Sequence, residues 1–196
     1  QDYPLQALFT NRMLREGSKA FSGAEISSKL DYYGAWVDIY SSQECNHLIL
    51  YVLAKHFSPL LPVVEDFVKH PLFPQENLEV VRRNNKSHFL INSRKVEVVA
   101  QRCFERALWG ESHSLGRPVE AEDYDAITRE DLLQYFNEVY SHRNCTLFLT
   151  GTNDADVIEA ITNSFGNEEW GAAADVAIDV PPPMSQPGLC KVKMEN

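Results

Sequence analysis

The sequence predicts an α+β fold built in layers, with helices packed against an antiparallel sheet. Three observations predict it. Segments with helical hydrophobic spacing occur in pairs, strand-like segments lie between them, and the order is not the strict β-α-β alternation of a parallel sheet. With 196 residues, 44% of them apolar, the chain can bury one substantial core, and we expect one large domain.

Two short helices are predicted at the start of the chain. Residues 3–16 carry apolar side chains at helical spacing, and Gly17 can end this helix. The sequence from Ser22 to Glu25 has the pattern of a capping box, in which a serine and a glutamate three residues later satisfy each other's main-chain N–H groups. This pattern predicts that a second helix begins there.

A hairpin follows, and then a series of longer helices. Residues 36–40 alternate in polarity and residues 47–53 are apolar and partly β-branched, which predicts two paired strands. Residues 145–149 predict a short buried strand. Helical patterns begin at Ser58, run from after Pro74 to about residue 93, cover 95–108 up to Gly110, begin at Thr128 and cover about 154–165.

Composition and charge exclude several classes of function. Lys and Arg number 18 against 28 Asp and Glu, a net charge of −10, and no basic run interleaves with aromatic residues, so we do not expect nucleic acid as a partner. No stretch is apolar and long enough to predict a membrane span. The sequence does not specify a compartment; a periplasmic or cell-envelope location is compatible with a bacterial source.

The cysteines, histidines and acidic residues form no recognisable site. The four cysteines are irregularly spaced without a C-x-x-C pair, and we expect buried single thiols. The six histidines show no i, i+4 pairing and no neighbouring cysteine at ligand spacing. The acidic residues between Glu120 and Asp125 are expected to form a solvated loop.

Four local patterns, in order, resemble the N-terminal domain of the insulinase/pitrilysin peptidases, whose zinc motif is H-x-x-E-H. Each pattern is weak alone, but their joint order and spacing make a strong match over nearly the whole chain. They are Met13 to Ser18, which resembles the segment after the zinc motif; Ser22 to Gly34; Pro71 to Pro74 with Leu78 and Glu79; and His113 to Pro118 followed by Ile127, Thr128, Leu132, Phe136, Tyr140, Asn144 and Gly151.

The resemblance implies a domain organisation. It implies a two-layer sandwich of an antiparallel or mixed sheet and helices over residues 1–170, with the family's first strands missing. Residues 171–196, rich in alanine and proline, then form a linker to a second, similar domain. In this family, substrate is held between two such halves.

The resemblance also implies that the zinc site is lost. Counting back from Met13, the motif's first histidine becomes Leu8, its catalytic glutamate Asn11 and its second histidine Arg12. Leucine has no donor atom, asparagine is not a general base, and arginine repels a cation. The third ligand falls near Ser87 and His88, and a single histidine there does not hold zinc. We therefore expect no cofactor, although active relatives bind zinc.

Arg12 and three aromatic residues of the hairpin are candidates for peptide binding. Arg12 would place a positive charge where the metal lies in relatives; the alternative is an ordinary arginine on a solvated helix face. Trp36 and Tyr40 of the hairpin, together with Tyr51, would line a cleft, because an edge strand in this family pairs with extended substrate. The alternative for these aromatic residues is plain core packing, as is usual on strands.

The expected function is that of a non-catalytic peptidase homologue. It would pair with an active homologue, as in heterodimeric members of the family, or with a second domain of its own chain, and help to bind and present peptide substrates. Two alternatives stay open. The chain is a binding or structural module without a proteolytic partner, or it is part of an active zinc endopeptidase whose metal site lies elsewhere.

Overall fold

The computed structural model describes residues 5–42, 45–111, 113, 115–151 and 154–171. These residues group into two compact units. The hairpin unit contains the described residues of 6–78 and 128–171, and the helical unit contains those of 79–127 together with Leu5.

The described residues form eight α-helices and one hairpin. In chain order they are α1 (Gln6–Met13), α2 (Gly23–Tyr32), β1 (Trp36–Ser41), β2 (Asn46–Tyr51), α3 (Ala54–Lys69), α4 (Gln75–Asn92), α5 (Val96–Trp109), α6 (Ala121–Ala126), α7 (Arg129–Val139) and α8 (Ala155–Ile161). Short 3₁₀ turns occupy Leu14–Glu16 and His142–Asn144, and a π-helical turn, Thr162–Gly166, continues α8. The predicted α+β class is confirmed.

The predicted hairpin is the only sheet among the described residues. Its strands are antiparallel, with Trp36 opposite Tyr51 at one end and Ser41 opposite Asn46 at the other. Val37 is buried on one face of the hairpin. The core of the hairpin unit consists of side chains that are fully or almost fully out of contact with solvent. This core includes Phe9, Met13, Leu14, Ile26, Leu60, Phe67, Phe73, Leu78 and Leu132.

The predicted capping box at Ser22 is present, and a second one occurs at Thr128, where the sequence predicted a helix start. The Ser22 hydroxyl accepts the main-chain N–H of Glu25, while the Glu25 carboxylate accepts that of Ser22 at 2.8 Å. Thr128 and Asp131 repeat the arrangement at the start of α7, where the carboxylate accepts the Thr128 N–H at 2.8 Å. Each box satisfies two N–H groups that the first helical turn leaves without a partner.

A buried turn joins α3 to α4. Phe73 lies fully buried with a φ of 48°, in the left-handed region that residues with a Cβ rarely adopt. The guanidinium of Arg129 donates to the carbonyls of Phe73 and Leu72, both at 2.9 Å. Ring burial and these two hydrogen bonds offset the cost of the backbone conformation.

The predicted start of α3 is wrong by five residues. The helix begins at Ala54 and not after Ser58, so Pro59 and Pro62 both lie inside it. Leu53 is extended, and its carbonyl accepts the N–H of His56 at 2.8 Å, which already forms a helical turn before the prolines. The Ser58-Pro59 pattern therefore predicted the presence of this helix correctly but not its first residue.

The predicted strand at 145–149 is also wrong. These residues have no regular secondary structure, and all of them are exposed, with 88% of Phe148 accessible to solvent. A strand needs a neighbouring strand to satisfy its main-chain groups. In the part of the chain that is described, only β1 and β2 pair as strands, and they pair with each other.

The helical unit packs around a few aromatic contacts. The rings of Phe89 in α4 and Tyr124 in α6 lie 5.1 Å apart, and the Arg102 guanidinium lies 5.3 Å from the centre of the Phe89 ring. The acidic segment predicted as a loop forms α6, because the Asp123 carboxylate accepts the N–H of Glu120 at 2.7 Å and caps a helical turn. That prediction is corrected accordingly.

The cysteine prediction is wrong in part. Cys45 and Cys145 are exposed and Cys103 is half-buried, and none of these three is in a disulfide. The fourth, Cys190, and the predicted linker from residue 172 onward lie outside the described residues, so the domain boundary near 170 stays a prediction. No helix among the described residues is both long and apolar enough to cross a membrane.

Candidate functional site

The three degenerate motif positions lie on α1. Their i, i+3, i+4 spacing places Leu8, Asn11 and Arg12 on neighbouring positions of one helical surface. The residues differ sharply in environment. Leu8 is half-buried, Arg12 is exposed, and Asn11 is 1% exposed. Asn11, the position predicted for the catalytic glutamate, is therefore the one that is out of contact with solvent.

The amide of Asn11 ties α1 to the hairpin. Its Nδ2 donates to the carbonyl oxygen of Tyr40 at 2.9 Å, and the hydroxyl of Ser41 and the carbonyl of His47 lie 3.4 Å from the same nitrogen. All three groups present an oxygen atom that accepts a hydrogen bond from this amide. A side chain without an N–H donor would leave at least the Tyr40 carbonyl without this partner.

The other side of the Asn11 amide meets Tyr140, at the end of α7. The Tyr140 hydroxyl donates to Oδ1 of Asn11 at 3.3 Å and accepts from Nδ2 of Asn46 at 3.0 Å. Ser41 closes the network by donating to Oδ1 of Asn46 at 2.6 Å. Burial, and to a lesser extent the neighbouring Tyr135, raises the pKa of Tyr140, so the phenol keeps its proton.

These residues do not fit a zinc ion. Leu8 offers no donor atom, Arg12 is a permanent cation, and Asn11 presents N–H protons to the acceptors of the hairpin. Across the residues that the structure describes, no three His, Cys, Asp or Glu side chains come together as a metal site would require. No catalytic step through a metal follows from this arrangement.

Comparison with known proteins agrees with the motif pattern. The family model described as the Peptidase M16 inactive domain matches residues 126–194. The mitochondrial-processing peptidase subunit alpha-1 of Dictyostelium discoideum is 26% identical over 159 residues, and the zinc protease YmxG of Bacillus subtilis is 23% identical over 163 residues. The resemblance to the insulinase/pitrilysin peptidases is therefore confirmed.

These relatives are considerably longer than the chain. The match covers 80% of this chain and 24% of the Dictyostelium protein, and 82% of this chain and 40% of the Bacillus protein. The present sequence therefore spans less than half the length of either family member.

Solved structures from the family share the fold. A peptidase M16 inactive domain from Pseudomonas fluorescens superposes with a TM-score of 0.77, at 20% identity, covering 89% of this chain and 43% of that one. The periplasmic protease PqqL from Escherichia coli gives a TM-score of 0.74 at 15% identity, covering 93% and 21%. Both superpositions show that this chain shares the fold of these proteins.

The position predicted for the family's third zinc ligand lies in the helical unit. His88 is exposed on α4, and the neighbouring Ser87 hydroxyl donates to the Arg83 carbonyl of its own helix at 2.9 Å. Leu8, Asn11 and Arg12 belong to the hairpin unit. Because His88 is exposed and Ser87 hydrogen-bonds to its own helix, this position is an ordinary one on the protein surface.

The hairpin aromatics do not pack in the core. Trp36 is 57% exposed, Tyr40 46% and Tyr51 39%, so the core-packing interpretation is wrong for all three. They lie on the face opposite Val37, because side chains alternate along a strand. Ser41 shares the Val37 face and contacts Asn11 of α1. Trp36 and Tyr40 thus share one face, while α1, which carries Arg12, packs on the other.

No sequence pattern indicated the two residues that complete the Asn11 network. Tyr140 contributed to the family resemblance without being a site candidate, and Asn46 belonged to the hairpin turn. The two residues are 94 positions apart, and Tyr140 lies 129 positions from Asn11. No local spacing connects such distant residues, so only the folded chain brings them together.

Proposed function

We propose that this domain is a non-catalytic peptidase homologue that binds peptide segments and assists an active homologue carrying H-x-x-E-H. One observation carries the proposal. Asn11, at the position of the catalytic glutamate, is buried and donates its amide protons to the hairpin. An amide in that role cannot act as a general base toward water. Moving it toward a substrate would also break the contact between α1 and the hairpin.

The flanking positions support the same conclusion. A family member that cleaves peptides needs three ligands for zinc and a water molecule activated by the metal. Leu8 and Arg12 cannot supply two of those ligands, because the leucine side chain is a hydrocarbon and the arginine side chain carries a positive charge. We propose instead that Arg12, which is exposed, holds a peptide carbonyl or a carboxylate of the partner.

The exposed hairpin face supports peptide binding. Large aromatic side chains at a solvent-facing surface of a small sheet provide area for an extended peptide, and their exposure leaves that area free in this domain. The relative from Dictyostelium is by name a subunit of a processing peptidase, which supports a role within an assembly. We propose Trp36 and Tyr40 as peptide-contacting residues on this basis.

The full-length protein provides the test. Zinc content and cleavage of unfolded peptides are measured for the protein alone, and then for mixtures with a co-purifying homologue that carries H-x-x-E-H. The expected result is a protein without stoichiometric zinc that is inert alone and raises the turnover of the homologue. The matched control is the same homologue with its motif glutamate replaced by glutamine, for which the mixture should show no cleavage.

Each other result selects an alternative. Stoichiometric zinc and cleavage by the protein alone would assign it as an active endopeptidase with a metal site outside these residues. Peptide binding without an effect on any homologue would leave a binding module. If the protein neither binds peptides nor changes the turnover of a homologue, the proposal is overturned.

A further inference from the structure

The geometry points to a docking site for an arginine side chain on the exposed face of the hairpin, centred on Asp38. The inference rests on the proposed peptide binding and names the kind of peptide that this face prefers. It depends on three features of the hairpin, namely the residues that share the face, the ring contacts on it and the charge between them.

Six residues share the exposed face. Alternation along β1 and the register of the hairpin place three cross-strand pairs there, Trp36 with Tyr51, Asp38 with Ile49, and Tyr40 with His47. The central pair is separated from each outer pair by two residues of strand, or about 7 Å. The carboxylate of Asp38 thus stands midway between two aromatic pairs.

The two outer pairs are ordered stacks. The Trp36 and Tyr51 rings lie 4.7 Å apart with 16° between their planes, and the rings of Tyr40 and His47 lie 4.6 Å apart with 15°. The second stack is held further because the His47 Nε2 lies 3.2 Å from the Ser42 hydroxyl. Since each ring is stacked on only one side in its pair, these side chains are pre-ordered surfaces for another planar group.

Among the described residues, no cation balances the charge of Asp38. Its side chain is exposed and takes part in no ion pair and no hydrogen bond with any of them. The nearest arginine in sequence that contacts the hairpin, Arg15, donates to the Val37 carbonyl at 3.3 Å. An unpaired carboxylate between aromatic stacks disfavours a purely apolar occupant, which would remove the charge from water without a partner.

A guanidinium matches all three features at once. It is planar and can stack on an aromatic ring, it is weakly hydrated, and its N–H groups can donate to a carboxylate in a bidentate manner. A lysine ammonium supplies the charge without the planar contact. The overall charge of −10 additionally favours the approach of a cationic peptide over an acidic one.

The test measures peptide binding to the full-length protein by fluorescence anisotropy. The probes are short, unstructured labelled peptides that are identical except for one central residue, which is arginine, its neutral analogue citrulline, or glutamate. The protein variants are Asp38→Asn and, as a matched control, Asp31→Asn, which removes the same charge from an exposed position on α2.

The expected result is a preference for the arginine peptide over the citrulline peptide of about tenfold, from an exposed ion pair and a stacked cation together. Asp38→Asn should abolish this preference, whereas Asp31→Asn should keep it. Trp36→Ala should weaken the arginine peptide most, with unchanged circular dichroism showing that the fold is intact. Raising the ionic strength to about 1 M should reduce the preference, because the Debye length falls to about 3 Å.

The outcomes separate this inference from the function on which it rests. Equal affinity for arginine and citrulline peptides, or a preference that survives Asp38→Asn, would overturn the arginine site while peptide binding stands. A preference that Asp31→Asn removes as well would show long-range attraction only and would also overturn it. Absence of binding to every peptide, together with no effect on an active homologue, would overturn the proposed function itself.

Discussion

Replacing Asn11 by aspartate tests whether the former catalytic position has become structural. The two side chains have nearly the same shape, so the change removes the N–H donors without creating a cavity. In the folded protein the new carboxylate oxygen would face the Tyr40 carbonyl, now 2.9 Å from Nδ2, and the His47 carbonyl at 3.4 Å. The carboxylate and the two carbonyl oxygens are all hydrogen-bond acceptors and would repel one another. The negative charge of the carboxylate would also be buried without a cation beside it.

The cost follows from these contacts. A buried carbonyl left without its donor costs about 1–3 kcal/mol. An uncompensated charge at a site as buried as this one, where only 1% of the residue is exposed, brings the total to about 3–5 kcal/mol. The free energy of unfolding of a domain is about 5–15 kcal/mol, so this cost would be a large fraction of the stability.

Chemical denaturation of the full-length protein and its variants measures this loss. Asn84→Asp serves as the matched control, because it makes the same substitution at an exposed position on α4 and should change the unfolding free energy by less than about 0.5 kcal/mol. Tyr140→Phe, which removes the hydroxyl that donates to Asn11, completes a double-mutant cycle. We expect a coupling energy of about 0.5 kcal/mol or more between the two positions, since they are in contact.

The pH dependence gives a second check on the same variant. Burial favours the neutral form of the introduced carboxyl, so its pKa in the folded state is raised and folding takes up a proton as the pH falls. The deficit of Asn11→Asp relative to the native protein should therefore shrink toward acidic pH. If this variant matches the native stability at neutral pH, Asn11 does not hold α1 to the hairpin and the central argument for a lost catalytic role fails.

Further predictions concern ionisation, capping and metal. Burial raises the pKa of Tyr140 above its ordinary 10.0, so its contribution to stability is complete below that pH and declines above it; Tyr140→Phe should abolish this decline in alkaline denaturation curves. The Ser22 N–H and hydroxyl hold the pKa of Glu25 below its ordinary 4.5, so that contribution is present above pH 4.5 and is lost as the pH falls; Glu25→Gln should flatten the acid limb of the stability profile. Thr128→Ala should cost about 1 kcal/mol of unfolding free energy, and Thr128→Ser should restore most of it. Zinc or a chelator should leave the melting temperature of residues 1–196 unchanged; a rise with zinc would show a site that binds the folded state.

Local chemistry made the hairpin and most of the helices predictable. The capping boxes at Ser22 and Thr128 require only residues three positions apart, and the β1–β2 hairpin joins strands adjacent in sequence. The resemblance to the family, and the prediction that its metal ligands are lost, followed from residue identity, because Leu8 and Arg12 cannot ligate zinc in any conformation. These conclusions needed no knowledge of tertiary contacts.

Only the tertiary structure decided what the changed positions now do. Asn11 acts as a clamp because Tyr40 and Tyr140, far away in sequence, lie on either side of its amide. Aromatic residues on a strand can face a core or solvent with the same alternation, and the side on which α1 packs determined that Trp36 faces solvent. The strand predicted at 145–149 did not form, since pairing depends on a neighbouring strand and not on the propensity of the segment itself.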